Sequence, residues 1–219
     1  MVLNWQALQS FFLLALFEYN ILPTDSEYFG TPDYHDGNYG LLEAWGYVPP
    51  GYYNDSAKNV ILVSNIKDQN YYENFPYYIA GFYSPSFEAY FDRNIISIDA
   101  YDWENRVGPD GSRPWLYESV IAHEYQHLIH DDYNTLDPLY LNEGCSMFAE
   151  IVCGYPIPWD YIDTYFATPD NSLTLWEDQG GINILADYGA AMLYAMYLND
   201  QYSSETEQFL SYFVQTGVP

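Results

Sequence analysis

The sequence predicts an α+β fold in which a mixed part, residues 1–130, is followed by a mainly helical part, residues 131–219. Three observations carry this reading. Runs rich in β-branched and aromatic residues, bounded by turn formers, occur at Val60 to Ser64, Tyr78 to Tyr83 and Ile95 to Tyr101. A three- and four-residue recurrence of Leu116, Val120, His123, His127 and His130 begins after Pro114, a residue suited to a first helical turn. Beyond Gly154 the pattern is mostly helical, interrupted by Pro156-Ile157-Pro158 and Asp178-Gln179-Gly180-Gly181. A chain of 219 residues can bury a substantial core, and this one reads as a single domain of two subdomains.

In chain order, Gln6 to Phe17 predicts a helix rich in Phe and Leu. Its apolar run is too short to span a bilayer and lacks the basic flank of a signal peptide, so it reads as a core helix. Asp33 to Asp55 is dense in glycine, proline and tyrosine and predicts an ordered loop excursion. The three strands and the helix after Pro114 follow. Asp137-Pro138 is a helix start, with Asp137 capping and proline first, and Gly154 is a natural stop after Cys153. The loop Asp131 to Leu136 is long enough to reverse the chain between these two helices. Ser203 to Phe213 predicts a last helix.

The chemistry concentrates in His123-Glu124-Tyr125-Gln126-His127, an HExxH sequence, and in Glu143 within Leu141-Asn142-Glu143-Gly144. Histidines four apart on a helix share one face, so both imidazoles can reach one tetrahedral ion. Glu124 lies beside them around the helix, where its carboxylate can accept a proton from a metal-activated water without taking a coordination position. Only four histidines occur in the chain, which makes a chance HExxH rare. Two histidines leave a catalytic zinc one protein ligand short. On one unbroken helix His123, His127 and His130 span about 10 Å, too far to close together on one ion; His130 reads instead as a helix-end or cleft-wall residue. Glu143, in the second turn of a helix able to cross the first, fits better, although a glutamate near a helix start also complements the macrodipole. Cys145 faces another side of that helix. Eight residues separate it from Cys153, beyond disulfide reach, so both cysteines are expected free and packed.

His123-Glu124-Tyr125-Gln126-His127 with Leu141-Asn142-Glu143-Gly144 resembles the gluzincin metallopeptidases, and its surroundings are most similar to the hyicolysin-like and immune-inhibitor-A-like secreted bacterial peptidases. The resemblance covers Val60 to Gln201. It implies a thermolysin-like two-subdomain fold, with His123, His127 and Glu143 as zinc ligands and Glu124 as catalytic base. It also implies an edge strand along the cleft, Ala80-Gly81-Phe82-Tyr83, able to pair with an extended peptide. Thermolysin-like members orient a zinc histidine with a carboxylate four residues beyond the glutamate ligand. Here that position is Met147, so the partner is expected elsewhere, with Glu150 and Asp187 as candidates. C-terminal subdomains of this kind commonly continue further, which raises the expectation of a trimmed or processed chain.

Peptide hydrolysis needs a donor aimed at the developing oxyanion. No histidine follows His130 and no lysine or arginine follows Arg113, so a downstream donor must be an aromatic hydroxyl, an indole or an amide. Tyr188 is the leading candidate: Asp187 precedes it as a plausible cap, and the Tyr-then-Gly context resembles that of gluzincin aminopeptidases. Tyr155 and Tyr161 come next. The same lack of cations after the motif disfavours a carboxypeptidase, which usually grips a terminal carboxylate with arginine. The expectation is a zinc endopeptidase. The alternatives are a zinc aminopeptidase and a non-catalytic acidic module binding glycans or proteins.

Five basic against 31 acidic residues give a formal charge of -26, which excludes nucleic acid as a partner on electrostatic grounds and disfavours anionic membranes. A peptide or protein substrate, cationic or glycosylated, suits this balance. Calcium is a second candidate cofactor, with Asp33, Asp36, Asp131 and Asp132 as loop carboxylates that could serve, although no EF-hand spacing is present. The expected location is secreted or at the surface of a bacterial cell.

Overall fold

The computed structural model describes residues 12–54, 58–204 and 207–217. It is a mixed α+β structure, with helices packed around a small three-stranded sheet. Of the first predicted helix, residues 6–11 lie outside the described residues. The rest runs further than Phe17, through a wide helical turn, Phe17–Ile21, into α1 (Leu22–Tyr28). Pro23 lacks an N–H and would clash with the carbonyl four residues back, and the wider turn lets the chain stay helical past it. Leu13, Phe17, Ile21 and Asp25 recur every fourth residue and are all buried. Phe17 meets Tyr125 edge-on at 5.0 Å.

The glycine- and tyrosine-rich excursion is irregular apart from α2 (Leu41–Ala44). Asp92 anchors it, accepting from the backbone N–H groups of Gly37 (3.1 Å) and Tyr39 (3.0 Å). Arg93 donates to the carbonyls of Tyr53 and Lys58, both at 2.8 Å.

The sheet comprises β1 (Val60–Ser64), β2 (Gly81–Tyr83) and β3 (Ile95–Asp99) in the order β1-β3-β2, with β1 parallel and β2 antiparallel to β3. Between them lie α3 (Gln69–Glu73) and α4 (Pro85–Phe91). β1 keeps its predicted bounds. β2 is shorter than Tyr78 to Tyr83, because Asp68, while capping α3 through Tyr71 N–H, also takes the N–H of Ile79 and draws that stretch aside. β3 ends at Asp99, whose carboxylate accepts from Ile66 and Ala100 N–H and closes the strand.

The central element is α5 (Leu116–Tyr133), entered through Trp115 at a positive φ of 64°. It runs on through Asp131 and Asp132, so the reversing loop is shorter than predicted and leads into α6 (Leu139–Val152). Then come α7 (Trp159–Ala167), α8 (Ile184–Tyr202) and α9 (Phe209–Thr216). The predicted last helix is displaced: Ser203 ends α8, and its hydroxyl receives the N–H of Phe209 at the start of α9. The main core draws on both sides of residue 130, joining Tyr125, Leu128 and Ile129 of α5 to Phe148 and Ala149 of α6, Ala195 of α8 and Leu210 and Val214 of α9. A smaller cluster gathers Met147, Ile162 and Met192. Cys145 and Cys153 are free and buried. Among the described residues, no helix is long and apolar enough to cross a membrane.

Candidate metal centre

α5 and α6 cross so that His123, His127 and Glu143 face one another. Nε2 of His123 lies 3.3 Å and Nε2 of His127 3.5 Å from Oε2 of Glu143. Donors about 2.0–2.2 Å from a tetrahedral zinc lie roughly 3.4 Å from one another, so the spacing fits that ion. The donor chemistry fits as well. Oε2 of Glu143 is sealed from solvent without a hydrogen-bond partner, an arrangement that calls for positive charge. Burial alone would raise the Glu143 carboxyl, but the close charges of His127 and His123 outweigh it and hold the group far below the usual carboxylate range. Burial likewise opposes charge on His123, yet the hydrogen bonds of Glu143 and Glu150 raise it well above an ordinary imidazole.

Each histidine is oriented from behind. Nδ1 of His123 is 3.0 Å from Oε1 of Glu150, which sits on the same helix as Glu143. Of the two sequence candidates Glu150 therefore takes this place, while Asp187 is engaged elsewhere, accepting from the Asn171 side chain (2.8 Å) and Glu177 N–H (3.0 Å). Met147, where thermolysin-like chains carry a carboxylate, packs in the small apolar cluster. The partner of His127 is Ser146, whose hydroxyl is 2.9 Å from Nδ1.

Ser146 also donates to Oε1 of Gln126. The Gln126 amide lies 3.3 Å from Nδ1 of His130, and Nε2 of His130 is 2.9 Å from Asp137. With His130 neutral, a consistent proton order runs along this line. The Asp137 carboxylate accepts from Nε2–H of His130, so Nδ1 of His130 accepts from Gln126. Gln126 Oε1 accepts from Ser146, and Ser146 accepts from Nδ1–H of His127, which leaves the Nε2 lone pair of His127 facing Glu143. Burial lowers His130, as a neutral ring acting both as donor and acceptor requires. His130 thus stands at the helix end, in the last turn of α5, as one of the two expectations had it, but it is fully buried and does not line the cleft. The N-cap of α6 is Pro138 rather than Asp137, and one oxygen of the Asp137 carboxylate lies 2.9 Å from Nε2 of His130.

Glu124 points beside the centre, toward β2. Its Oε2 accepts from Tyr83 N–H at 2.8 Å. Burial raises its carboxyl, against the lowering charges of His123 and His127. The close approach of β2 depends on Gly81, where a Cβ would stand 2.6 Å from Cγ1 of Val120 and 2.9 Å from the Ser97 carbonyl. β2 is at the edge of the sheet, as the resemblance implied for Ala80-Gly81-Phe82-Tyr83, with only Gly81–Tyr83 forming regular strand. Ala80 C=O bonds Asp99 N–H of β3, whereas Tyr83 N–H points away from the sheet, and so, two residues earlier, do the N–H and C=O of Gly81.

A cleft of about 960 Å³ opens along this edge, lined by Gly81, His123, Glu124, Tyr161 and Tyr188 among others. Tyr188 lies within it, its ring centroid 6.5 Å from that of His123. It sits in the second turn of α8, not at its start, since Asn183 rather than Asp187 occupies the N-cap. Trp176 (5.0 Å) and Tyr161 (5.8 Å) hold its ring. Burial and the charge of Glu143 raise its hydroxyl well above an ordinary phenol, so it remains an O–H donor. Tyr161 shares the cleft wall, whereas Tyr155 is in the main core. The wall also carries Arg113, a cation that precedes the motif in sequence.

The calcium candidates do not converge as a loop site. Asp36 accepts from Asn38 N–H, Asp33 offers its backbone N–H to Asp132, and Asp131 and Asp132 belong to the last turn of α5. Sequence reasoning missed Ser146, which no spacing rule singles out, although its position three residues after Glu143 places it on the same face of α6. Comparison of the chain with known protein families and with characterised proteins gave no match.

Proposed function

We propose that this chain is a zinc-dependent endopeptidase of the gluzincin type, with His123, His127 and Glu143 as metal ligands and Glu124 as general base. The observation that carries the reading is the convergence of three donor atoms, Nε2 of His123 and of His127 at 3.3 and 3.5 Å from Oε2 of Glu143, beside a second carboxylate that Tyr83 N–H holds. Zinc held there supplies a water of lowered pKa and a Lewis acid for the scissile carbonyl. Glu124 takes the proton from the attacking water. Tyr83 N–H fixes one of its oxygens and leaves the other to face that water. The Tyr188 hydroxyl donates to the oxyanion as the carbonyl carbon becomes tetrahedral. The outward N–H and C=O of Gly81 pair with the substrate backbone, adding an extended peptide to the sheet edge.

Arg113 on the cleft wall favours a second reading, a preference for peptides ending in a free carboxylate near the scissile bond. One experiment addresses both. A peptide pool with free and amidated C termini is digested by zinc-loaded protein beside Glu124→Ala and read by mass spectrometry. Internal cleavage of both sets, lost in the variant, is expected. Cleavage confined to free C termini selects the second reading, and no cleavage by folded, zinc-loaded protein refutes both.

A further inference from the structure

His35, in the excursion after α1, Glu88 of α4 and Asp132 at the end of α5 bring one ligand atom each within 4.8 Å of one another. Acidic clusters are common on a protein of this charge, so proximity alone says little. Two further features point to a ligand. Glu88 is only 8% exposed, and its Oε1 is sealed from solvent with no hydrogen-bond partner, 3.8 Å from Nε2 of His35. Nδ1 of His35 is 2.8 Å from Oδ1 of Asp92, whose other oxygen is fixed by Gly37 and Tyr39 N–H. A carboxylate behind the imidazole orients Nε2 toward the cluster, as Glu150 does for His123.

We propose that His35, Glu88 and Asp132 form a second metal site, taking a divalent transition ion such as zinc or manganese. An imidazole with two carboxylates suits such an ion, whereas calcium prefers six to eight oxygens. The three donors come from distant stretches of chain, so the ion clamps the excursion and α4 to the end of α5. The clamp reaches the first centre through one residue. The Tyr83 hydroxyl donates to Oε2 of Glu88 at 2.8 Å and lies 3.0 Å from Asp131, while its N–H holds Glu124.

The site is independent of the peptidase reading, and the test keeps the two apart. Full chain stripped with chelator is dialysed against zinc, manganese or calcium, and bound metal is counted by mass spectrometry. Wild type is expected to hold two zinc ions. His123→Ala/His127→Ala should hold one, with manganese also accepted and Tm raised by about 5 to 10 °C at a hundredfold excess over Kd. Adding His35→Ala, or Glu88→Gln should the first variant fail to fold, removes that ion. Asp92→Asn, which keeps a side-chain oxygen for Gly37 and Tyr39 N–H but loosens the imidazole, should weaken binding by about 10- to 100-fold. The proposal is overturned if the folded double variant retains neither zinc nor manganese, if it retains calcium alone, or if Glu88→Gln leaves the metal count unchanged.

Discussion

Replacing Ser146 with alanine tests whether the line of hydrogen bonds behind His127 sets the state of the metal ligand. With an ion on Nε2, His127 must carry its proton on Nδ1, and the acceptor is the Ser146 hydroxyl 2.9 Å away. Alanine leaves that N–H buried and unpaired, at a cost of about 1–3 kcal/mol. Without the ion the ring can move its proton to Nε2, which faces Oε2 of Glu143 at 3.5 Å, and so escapes much of the penalty. The abandoned Gln126 oxygen burdens both states equally and cancels. The cost therefore falls on the bound state, and zinc affinity should drop by about 10- to 100-fold, the range typical of outer-shell partners, or about 1.4–2.7 kcal/mol. Competition with a chromophoric chelator measures it directly. An affinity within twofold of wild type in a folded Ser146→Ala protein refutes the proton order derived for this line.

Three other perturbations have defined outcomes. Tyr188→Phe keeps the ring between Trp176 and Tyr161 and removes only the donor, so kcat should fall by about 10²–10³ with KM little changed; a loss confined to KM would assign Tyr188 to binding. Gly81→Ala drives a Cβ against Val120 and the Ser97 carbonyl and should cost about 1–3 kcal/mol, read in chemical denaturation, while lowering kcat through the Tyr83 bond to Glu124. Asp25 is fully buried, and burial raises its carboxyl well above the usual range despite the hydrogen bond from Cys153 and the charge of His123. A folded-state value above the unfolded one means that the native protein holds the extra proton. Its stabilising contribution is complete below about pH 4 and is lost as pH rises toward the folded value. Asp25→Asn should therefore raise Tm at pH 7, by about 2–4 °C for each kcal/mol that the buried carboxyl costs there, and the gain should vanish near pH 4. A gain independent of pH would contradict a buried neutral carboxyl.

The parts of this molecule that were legible in sequence are those set by short-range periodicity. Val60 to Ser64 kept its bounds because its β-branched run lies between turn formers. His123 and His127 converge because a four-residue step on a helix permits little else, and Glu143 meets them because a short connection obliges α6 to cross α5. The failures arise where a side chain had two uses. Asp137 looked like a helix cap, yet α6 starts one residue later from Pro138 and an Asp137 oxygen meets the buried imidazole seven residues earlier, a ring that cannot turn to water for its partner. Asp187 looked like a cap and a metal-site partner but instead pins Asn171 and Glu177. Asp68 shortened β2 by taking a strand amide while capping α3. Ser146 and His35 carry no signal of their own, because their roles exist only once distant segments meet.

Tyr83 stands between the two clusters of ligating side chains. Its backbone N–H fixes the base of the first centre, and its hydroxyl is held between Glu88 and Asp131 on the far side of β2. A three-residue edge strand hydrogen-bonded on one side is a weak support by itself. Gly81 lets the strand lie against α5, but close packing there fixes the strand's distance from the helix and not its slide along it. Sliding is resisted by the bonds Tyr83 makes at both ends of the residue. Loss of the hydroxyl contacts should thus be felt as a looser Glu124, with zinc still bound at the first centre because its three ligands stand on α5 and α6. Tyr83→Phe separates the two effects: zinc affinity unchanged and kcat reduced is the pattern this coupling requires. A variant with wild-type kcat would show that the backbone pairing of β2 with β3 positions the base unaided.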